Sequence, residues 1–229
     1  MIIRLIMKIK WFAHASFLIE GNGLRIITDP YTPDEMGFPP ITEPADIVIR
    51  SSSDDGGHCY AEMIPGDPDV VTATEIIPNG VKIRGLKITA IPVRESLIHK
   101  DSPLDNGMYR FTLEGIRLAH MGDVGNALTD EQLEAMSHVD VLFVLAGGPP
   151  TLDLDDLREA IDIIQPRVII PMHYHLPGTK VKMLPITELA EHFSVDEVVW
   201  MDSSEFDLSR DTLPMTMRMF VLRSSLVEQ

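Results

Sequence analysis

The first half of the chain alternates short apolar runs with polar turns, a pattern typical of β-strands. β-Branched and aromatic residues are common in the runs, and the turn Gly21-Asn22-Gly23 separates two of them. Turns of this kind connect antiparallel strands in hairpins. The pattern predicts strands at MKIKWF, SFLIE, LRIITDP, ADIVIRS, DVVTA, LKITAIPV, MYRFTLEG and IRLAHMGD.

The second half adds amphipathic helices between apolar strands. Thr129 is a good N-cap for TDEQLEAM, and Gln132 completes a capping box. The segment DLDDLREAIDII has acids in its first turn and ends before Pro166. Its apolar face consists of Leu154, Leu157, Ile161 and Ile164. PITELAEHF is a further helix candidate, and the strand candidates are VLFVLAGG, RVIIPMHY, EVVWM and MTMRMFVL.

This order of elements, rich in strands first and alternating afterwards, predicts one domain over residues 1–229. No internal repeat or long linker divides the chain. Two sheets packed on each other, with helices outside, account for the pattern because each amphipathic element must bury one face.

Composition narrows the classes of function. The formal net charge of -16 argues against a nucleic-acid partner, which needs clustered Lys and Arg. No apolar run has the length of a membrane span, and Arg4, Lys8 and Lys10 interrupt the apolar N-terminus, which predicts a strand and not a signal peptide. The single cysteine, Cys59, fits a reducing cytoplasm. We expect a cytoplasmic protein with a small-molecule substrate or ligand and no membrane partner, and a homo-oligomer stays open.

Histidines and acids recur where predicted strands end. They are His14, Asp55, His58, Glu95, His120, Asp123 and His173. One such residue alone is more often hydrogen-bonded within the structure than functional. Loops at one edge of a sheet sandwich converge, however, so that several strand ends build one site. The recurrence therefore favours a shared site.

Three segments resemble the metallo-β-lactamase-fold superfamily: WFAHASFLIEGNGLRIITDPY, AHMGDVGNALT and AGGPPTLDLDDLREAIDIIQPRVIIPMHY. The resemblance spans residues 8–175 and is closest to the branch of ascorbate-6-phosphate lactonase-like metal-dependent hydrolases. It implies an α/β (α+β) fold, a four-layer αββα sandwich of two mixed β-sheets flanked by helices. It also implies a site for two zinc or manganese ions and hydrolysis of an ester, lactone or phosphorylated small molecule by a metal-activated water.

The loop SSSDDGGHCY departs from the ligand pattern that the resemblance implies. The first metal loop of the family reads His-x-His-x-Asp-His after a buried strand. Its four ligand positions fall on Ser53, Asp55, Gly57 and His58. Only His58 keeps the family residue, and Asp55 replaces an imidazole by a carboxylate.

The remaining ligand positions implied by the resemblance lie on later strand ends. The later-strand histidine falls on Glu95, with Arg94 and His99 as alternatives after a small shift. The bridging aspartate is Asp123 and the last histidine is His173. Every imidazole of the first metal is therefore replaced, whereas most of the second metal's ligands are retained.

Several readings of this altered site stay open. His58, Asp123 and His173 form a two-histidine, one-carboxylate set that suits a single Zn, Mn or Fe(II) ion, with Asp123 and His58 as candidate catalytic residues. Asp55, Glu95 and Asp123 offer oxygens for a harder ion such as Mn or Mg. A normal two-zinc site is not expected. The alternative is a catalytically inactive relative that has lost one or both metals and binds a ligand or has a structural role. Metal-free acid–base chemistry on paired carboxylates is a weaker third reading.

Three further histidines are candidates for roles beside the ligands. His14, in HASF, is a candidate for contact with a ligand residue or with substrate. His120, in HMGD, is expected to orient Asp123 or to pack locally. His175 lies two residues beyond His173 and would share its side of an extended segment, which makes it a spare ligand candidate.

Overall fold

The computed structural model describes residues 5–95 and 105–228. Within them, two mixed β-sheets pack face to face and short helices lie outside, so the predicted α/β sandwich is confirmed. The four α-helices of this part of the chain are α1 (Pro33–Met36), α2 (Asp130–Met136), α3 (Leu154–Ile164) and α4 (Ile186–Ala190).

The first sheet contains six strands and consists mainly of the N-terminal part of the chain. In spatial order they are β13 (Glu205–Leu208), β1 (Met7–Ala13), β2 (Ser16–Gly21), β3 (Leu24–Thr28), β4 (Ile47–Arg50) and β5 (Asp69–Thr72). β1, β2 and β3 pair in antiparallel fashion, with β2 and β3 joined by the predicted turn Gly21-Asn22-Gly23, whereas β3, β4 and β5 run parallel.

The second sheet contains eight strands. In spatial order they are β12 (Val198–Trp200), β14 (Arg218–Val221), β11 (Val168–Met172), β10 (Val141–Leu145), β9 (Ile116–His120), β8 (Asn106–Leu113), β7 (Leu86–Val93) and β6 (Val81–Ile83). β10 and β11 are buried at every position. Parallel central strands are covered on both faces, which explains why their sequences are continuously apolar.

The helix signals of the sequence are confirmed. Thr129 and Gln132 form a reciprocal capping box at the start of α2. The predicted apolar face of α3 is buried, and α3 ends at Ile164, followed by the capping residue Gln165, whose φ is 52°, directly before Pro166. None of the helices in residues 5–95 and 105–228 has the length and apolar character required to cross a membrane.

Three short elements were not predicted, and one strand is shorter than expected. The unpredicted elements are α1, β6 and β13. β6 and β13 are edge strands of three and four residues, and most of their positions are exposed or half-buried. Such strands carry no clear apolar alternation. The predicted final strand begins only at Arg218, and Met215 is 92% exposed.

The carboxyl ends of the parallel strands meet at one edge of the sandwich. Asp29 follows β3, and the loop with His58 follows β4. Asp123 and His173 follow β9 and β11, which lie on either side of β10 in the second sheet. The turn between β1 and β2 adds His14 at the same edge. This edge therefore carries the candidate site.

Candidate metal site

Three imidazoles and two carboxylates from four separate loops converge at this edge. They belong to His14, His58, His173, Asp55 and Asp123. His14, His58 and His173 are buried, and their ring centroids lie 4.0 to 5.3 Å apart. The structure thus brings together most of the sequence-predicted ligands and adds His14 to them.

Asp123 lies between two of the imidazoles. Its Oδ1 is 3.2 Å from His173 Nε2 and 3.5 Å from His58 Nε2. Asp55 Oδ2 is 3.8 Å from His58 Nε2. The residues form two overlapping groups, His14–His58–His173 and Asp55–His58–Asp123, and the ligand atoms of each group lie within 4.8 Å of one another.

Most of the unpartnered buried polar atoms in the described residues belong to this cluster. They are His14 Nδ1, Asp55 Oδ2, His58 Nε2, Asp123 Oδ1 and His173 Nδ1, and the others are on Glu43, Asn106 and Ser225. The short distances to Asp123 Oδ1 therefore lack hydrogen-bond geometry. Buried polar atoms are normally paired, so a concentration of unpaired ligand atoms fits a cation site. Nitrogen and oxygen donors of this kind match Zn, Mn or Fe(II).

Asp29 organises the cluster from behind and was not among the sequence-predicted site residues. This fully buried carboxylate accepts hydrogen bonds from Ser51 N and Ser51 Oγ, both at 2.8 Å, and from Tyr109 OH at 3.1 Å. His58 Nδ1 also donates to it at 2.8 Å. A carboxylate that holds one ring nitrogen fixes which nitrogen of the histidine faces a metal. The signal was available, because Asp29 follows a predicted strand like the other candidates.

Three residues of the site have a left-handed backbone. φ is 51° at His14, 35° at Asp29 and 53° at His173. Residues other than glycine rarely adopt such angles, and when they do they often lie at functional sites. One hydrogen bond joins two of these residues, because His173 N donates to His14 O at 3.0 Å.

The charges of the cluster are strongly coupled. Burial alone would raise the pKa of the Asp123 carboxyl, but the charges of His58 and His173 hold it well below its usual range. Burial alone would lower the pKa of the His58 imidazole, but Asp123 and Asp55 hold it well above its usual range. A proton on His58 thus balances the acids when no cation is bound, and a bound cation would displace it.

Glu95 lies beside the cluster without joining either ligand group. Burial, and then the negative charges of Asp55 and Asp123, raises the pKa of Glu95 to about 7. Its backbone N donates to Asp105 Oδ1 at 3.1 Å. The alternative Arg94 is exposed, and the alternative His99 lies outside the described residues.

His120 uses both ring nitrogens for local hydrogen bonds. Nε2 donates to Ala15 O at 3.0 Å, and Nδ1 accepts from Gly122 N at 3.1 Å. The ring also stacks on Tyr109 with an interplanar angle of 8°. These bonds hold the loop that carries Asp123 and leave no ring nitrogen for a metal.

Two candidates from the sequence point elsewhere. The expectation that His175 shares the side of His173 is wrong, because the left-handed backbone at His173 breaks the extended segment. His175 is exposed and borders a different groove. Ser53, aligned with a lost ligand, is also exposed, whereas Ser52 is buried and accepts a hydrogen bond from Asp55 N at 3.2 Å.

A cavity of about 380 Å³ opens onto the cluster, and we call it the histidine cavity. Its walls combine the ligand candidates with apolar residues and one lysine. The lining residues are His14, Glu35, Met36, Asp55, Gly57, His58, Asp123, Pro150, Thr151, His173, Val181, Lys182 and Met183. The volume suits a small molecule placed against the cluster.

Comparison with known proteins agrees with this geometry. Residues 8–173 match the β-lactamase superfamily domain. A UPF0173 metal-dependent hydrolase of Nanoarchaeum equitans is 28% identical over 224 residues, which cover 88% of this chain and 100% of that protein. A UPF0173 metal-dependent hydrolase of Alkaliphilus metalliredigens is 27% identical over 196 residues, which cover 74% of this chain and 86% of that protein.

A solved structure shares the whole architecture. It is a protein of Thermotoga maritima proposed to be a zinc-dependent hydrolase of the metallo-β-lactamase superfamily. The TM-score is 0.74 at 29% identity, with 94% of this chain and 98% of that chain covered. From the family match over most of its length and from this shared fold, the chain belongs to the metallo-β-lactamase superfamily.

Proposed function

We propose that the protein is a metal-dependent hydrolase that holds one divalent cation through His58, Asp123 and His173. The observation that carries this proposal is the group of buried ligand atoms without a protein partner. Each such atom costs about 1–3 kcal/mol when it stays unpaired. When bound, the cation supplies a Lewis acid that polarises a substrate oxygen and activates water near neutral pH.

Asp29 and the backbone pre-organise the ligands. Because His58 Nδ1 donates to Asp29, it is Nε2, the nitrogen that faces Asp123, whose lone pair becomes available once a cation displaces the proton there. The hydrogen bond from His173 N to His14 O fixes the loop after β11. Little rearrangement is then needed when the site is filled, which favours tight binding.

Asp55 is the residue that we assign as proton acceptor for the attacking water. Its Oδ2 is buried, unpartnered and 3.8 Å from His58 Nε2. Burial raises the pKa of Asp55, the positive charge of His58 opposes this, and Asp123 adds to it. A carboxyl whose pKa is raised toward neutral pH is a better general base than a free aspartate.

The walls of the histidine cavity favour a small substrate with one anionic end. Met36, Val181 and Met183 offer apolar surface, and Lys182 is the basic residue among the described residues of the lining. A carboxylate or phosphate near Lys182 would place the rest of a small ester, lactone or phosphorylated molecule toward Asp55 and Asp123. The net charge of -16 makes such a local positive group useful for binding an anion.

Metal analysis joined to a substrate panel tests this function. Protein purified without chelators is loaded with Zn²⁺, Mn²⁺ or Fe²⁺, and bound metal is counted by elemental analysis. Hydrolysis of chromogenic esters, lactones and phosphate esters is then compared among the wild type, Asp123→Asn and His173→Ala. We expect one equivalent of metal and loss of activity in both variants.

The matched control is His175→Ala, which removes an exposed imidazole outside the cluster. It should keep the wild-type metal content and rates. Failure of the wild type to bind any metal after reconstitution would count against a hydrolase and favour the ligand-binding relative. Equal rates in Asp123→Asn and the wild type would exclude the assigned site.

A further inference from the structure

His14 is fixed in the cluster by its backbone. It occupies the β1–β2 turn with φ of 51°, and its carbonyl oxygen accepts hydrogen bonds from Trp11 Nε1 and His173 N, both at 3.0 Å. Two donors on one carbonyl hold an otherwise unfavourable backbone conformation. The direction of the His14 side chain is therefore determined by the fold and not by a free rotation of the turn.

The His14 ring faces the other imidazoles and lacks a protein partner on one nitrogen. Its centroid lies 4.0 Å from that of His173 and 4.8 Å from that of His58. Nδ1 is buried and unpartnered, in contrast to His120, whose two ring nitrogens are both hydrogen-bonded. A histidine that only supported the site would be expected to look like His120.

Gly57 leaves the space that the His14 ring uses. A Cβ atom at position 57 would lie 3.0 Å from His14 Nε2, tighter than nine in ten real Cβ contacts. A side chain at this position, where the resemblance places a metal-binding aspartate, would therefore press on the ring. The absence of a side chain at Gly57 and the position of His14 are complementary.

We propose that His14 is a direct metal ligand, so that one cation is held by three imidazoles, of His14, His58 and His173, together with Asp123. The ligand atoms of the three histidines already lie within 4.8 Å of one another, and small side-chain rotations bring them to the roughly 2.1 Å that zinc–nitrogen bonds require. A nitrogen-rich set of this kind selects Zn²⁺, Co²⁺ or Fe²⁺ over Mg²⁺ or Ca²⁺. The inference rests on the proposed function only in requiring that the site binds a cation.

Nitrogen NMR of the zinc-loaded protein tests this assignment directly. Full-length protein labelled with ¹⁵N-histidine is titrated with Zn²⁺, and the ring signals of His14 are assigned by their absence in His14→Gln. We expect ring-nitrogen shifts typical of metal coordination for His14, His58 and His173. Zn²⁺ affinity, measured by competition with a chelator, should fall by more than about 100-fold in His14→Ala, beyond the 10–100-fold typical of residues that only orient a ligand, and stay unchanged in His175→Ala.

The possible results separate this inference from the proposed function. Tight binding of one Zn²⁺ with unshifted His14 ring nitrogens would overturn the role of His14 and leave the hydrolase proposal standing. Failure of the wild type to bind Zn²⁺, Mn²⁺ or Fe²⁺ would overturn both. Since the number of coordinated imidazoles, three or two, can be counted in the wild-type spectrum, the measurement remains decisive even if the variants of His14 do not fold. Coordination shifts on the rings of His14, His58 and His173 together would support the proposed ligand set.

Discussion

Two openings of almost equal size lie on either side of the short segment from His173 to His175. The histidine cavity, about 380 Å³, includes His173, whereas a second opening of about 370 Å³ includes His175. We call the second opening the tryptophan groove. It is lined by Tyr174, His175, Leu176, Pro177, Ile186, Trp200, Met201, Asp202, Val221, Leu222 and Arg223.

The two openings differ in how their polar atoms are satisfied. Asp202 in the tryptophan groove pairs with Arg223 at 2.8 Å, and both side chains are largely exposed. None of the described residues that line the tryptophan groove has a buried side-chain atom without a hydrogen-bond partner. Five of the residues that line the histidine cavity have such an atom. Volume alone therefore does not mark a functional site, and unsatisfied buried ligand atoms do so more sharply.

The largest effect expected from this difference concerns the buried acid behind the histidine cavity. In Asp29→Asn, an amide NH₂ group would replace one of the carboxylate oxygens that accept hydrogen bonds from Ser51 and Tyr109. The charged acceptor that holds the His58 ring would also be lost. We expect a loss of about 2–4 kcal/mol in the free energy of unfolding and a 10–100-fold loss in metal affinity. Urea unfolding and metal competition measure the two effects.

The control lies in the tryptophan groove. Asp202→Asn removes an exposed ion pair and should change the free energy of unfolding by no more than about 0.5 kcal/mol. Similar losses of unfolding free energy in Asp29→Asn and Asp202→Asn would contradict the view that hydrogen bonds to a buried acid hold the histidine cavity in place.

A smaller, pH-dependent effect is expected at Glu95. Its pKa is about 7 in the folded protein against 4.5 in an unperturbed glutamate, so the folded state favours the proton. The stabilisation from this proton is complete below pH 4.5 and is lost as the pH rises through about 7. In metal-free protein, Glu95→Gln should therefore be about 1–2 kcal/mol more stable than the wild type at pH 8, less than the full shift because the carboxyl is partly exposed.

At pH 4 the two proteins should unfold at the same urea concentration, since Glu95 is then protonated in both states of the wild type. A stability difference that does not change between pH 4 and pH 8 would show that burial and the acidic neighbours do not raise the pKa of Glu95.

The smallest effect concerns substrate binding by Lys182. Lys182→Ala should raise KM for an anionic substrate about 5-fold to 10-fold, roughly 1 kcal/mol, and leave kcat nearly unchanged, because a charge at the cavity wall binds ground state and transition state alike. Steady-state kinetics with an anionic and an uncharged ester separate the two constants. Arg223→Ala, which removes a cation from the tryptophan groove, is the matched control. An equal rise in KM in that variant would contradict the assignment of the substrate site to the histidine cavity.

Local patterns predicted most of the fold. The hairpin turns, the capping box at Thr129 and the apolar face of α3 depend on residues only a few positions apart, so the sequence displays them directly. β13 escaped prediction because its partner β1 lies almost 200 residues away, with Lys8 paired to Asp207. A short edge strand is selected by its neighbour more than by its own composition.

The site was predictable in its residue types but not in its connections. His58, Asp123 and His173 were predicted because they are polar residues at strand ends. The motifs HMGD and IIPMHY, in that order along the chain, supported Asp123 and His173. The pairing of Asp29 with His58 joins residues 29 positions apart in different loops. No short-range pattern reports such a contact.

The sequence by itself therefore determined most of the strands and helices and most of the side chains that lie at the strand ends, because apolar periodicity and turn chemistry are local properties. Tertiary structure decided which of these side chains meet. A left-handed backbone at His173 sends His173 into the cluster and His175 to the groove, and two hydrogen bonds on the carbonyl of His14 bring a residue of the first hairpin beside the last strand ends. A single backbone angle, stabilised by distant donors, redirects a side chain in a way that spacing along the chain does not encode.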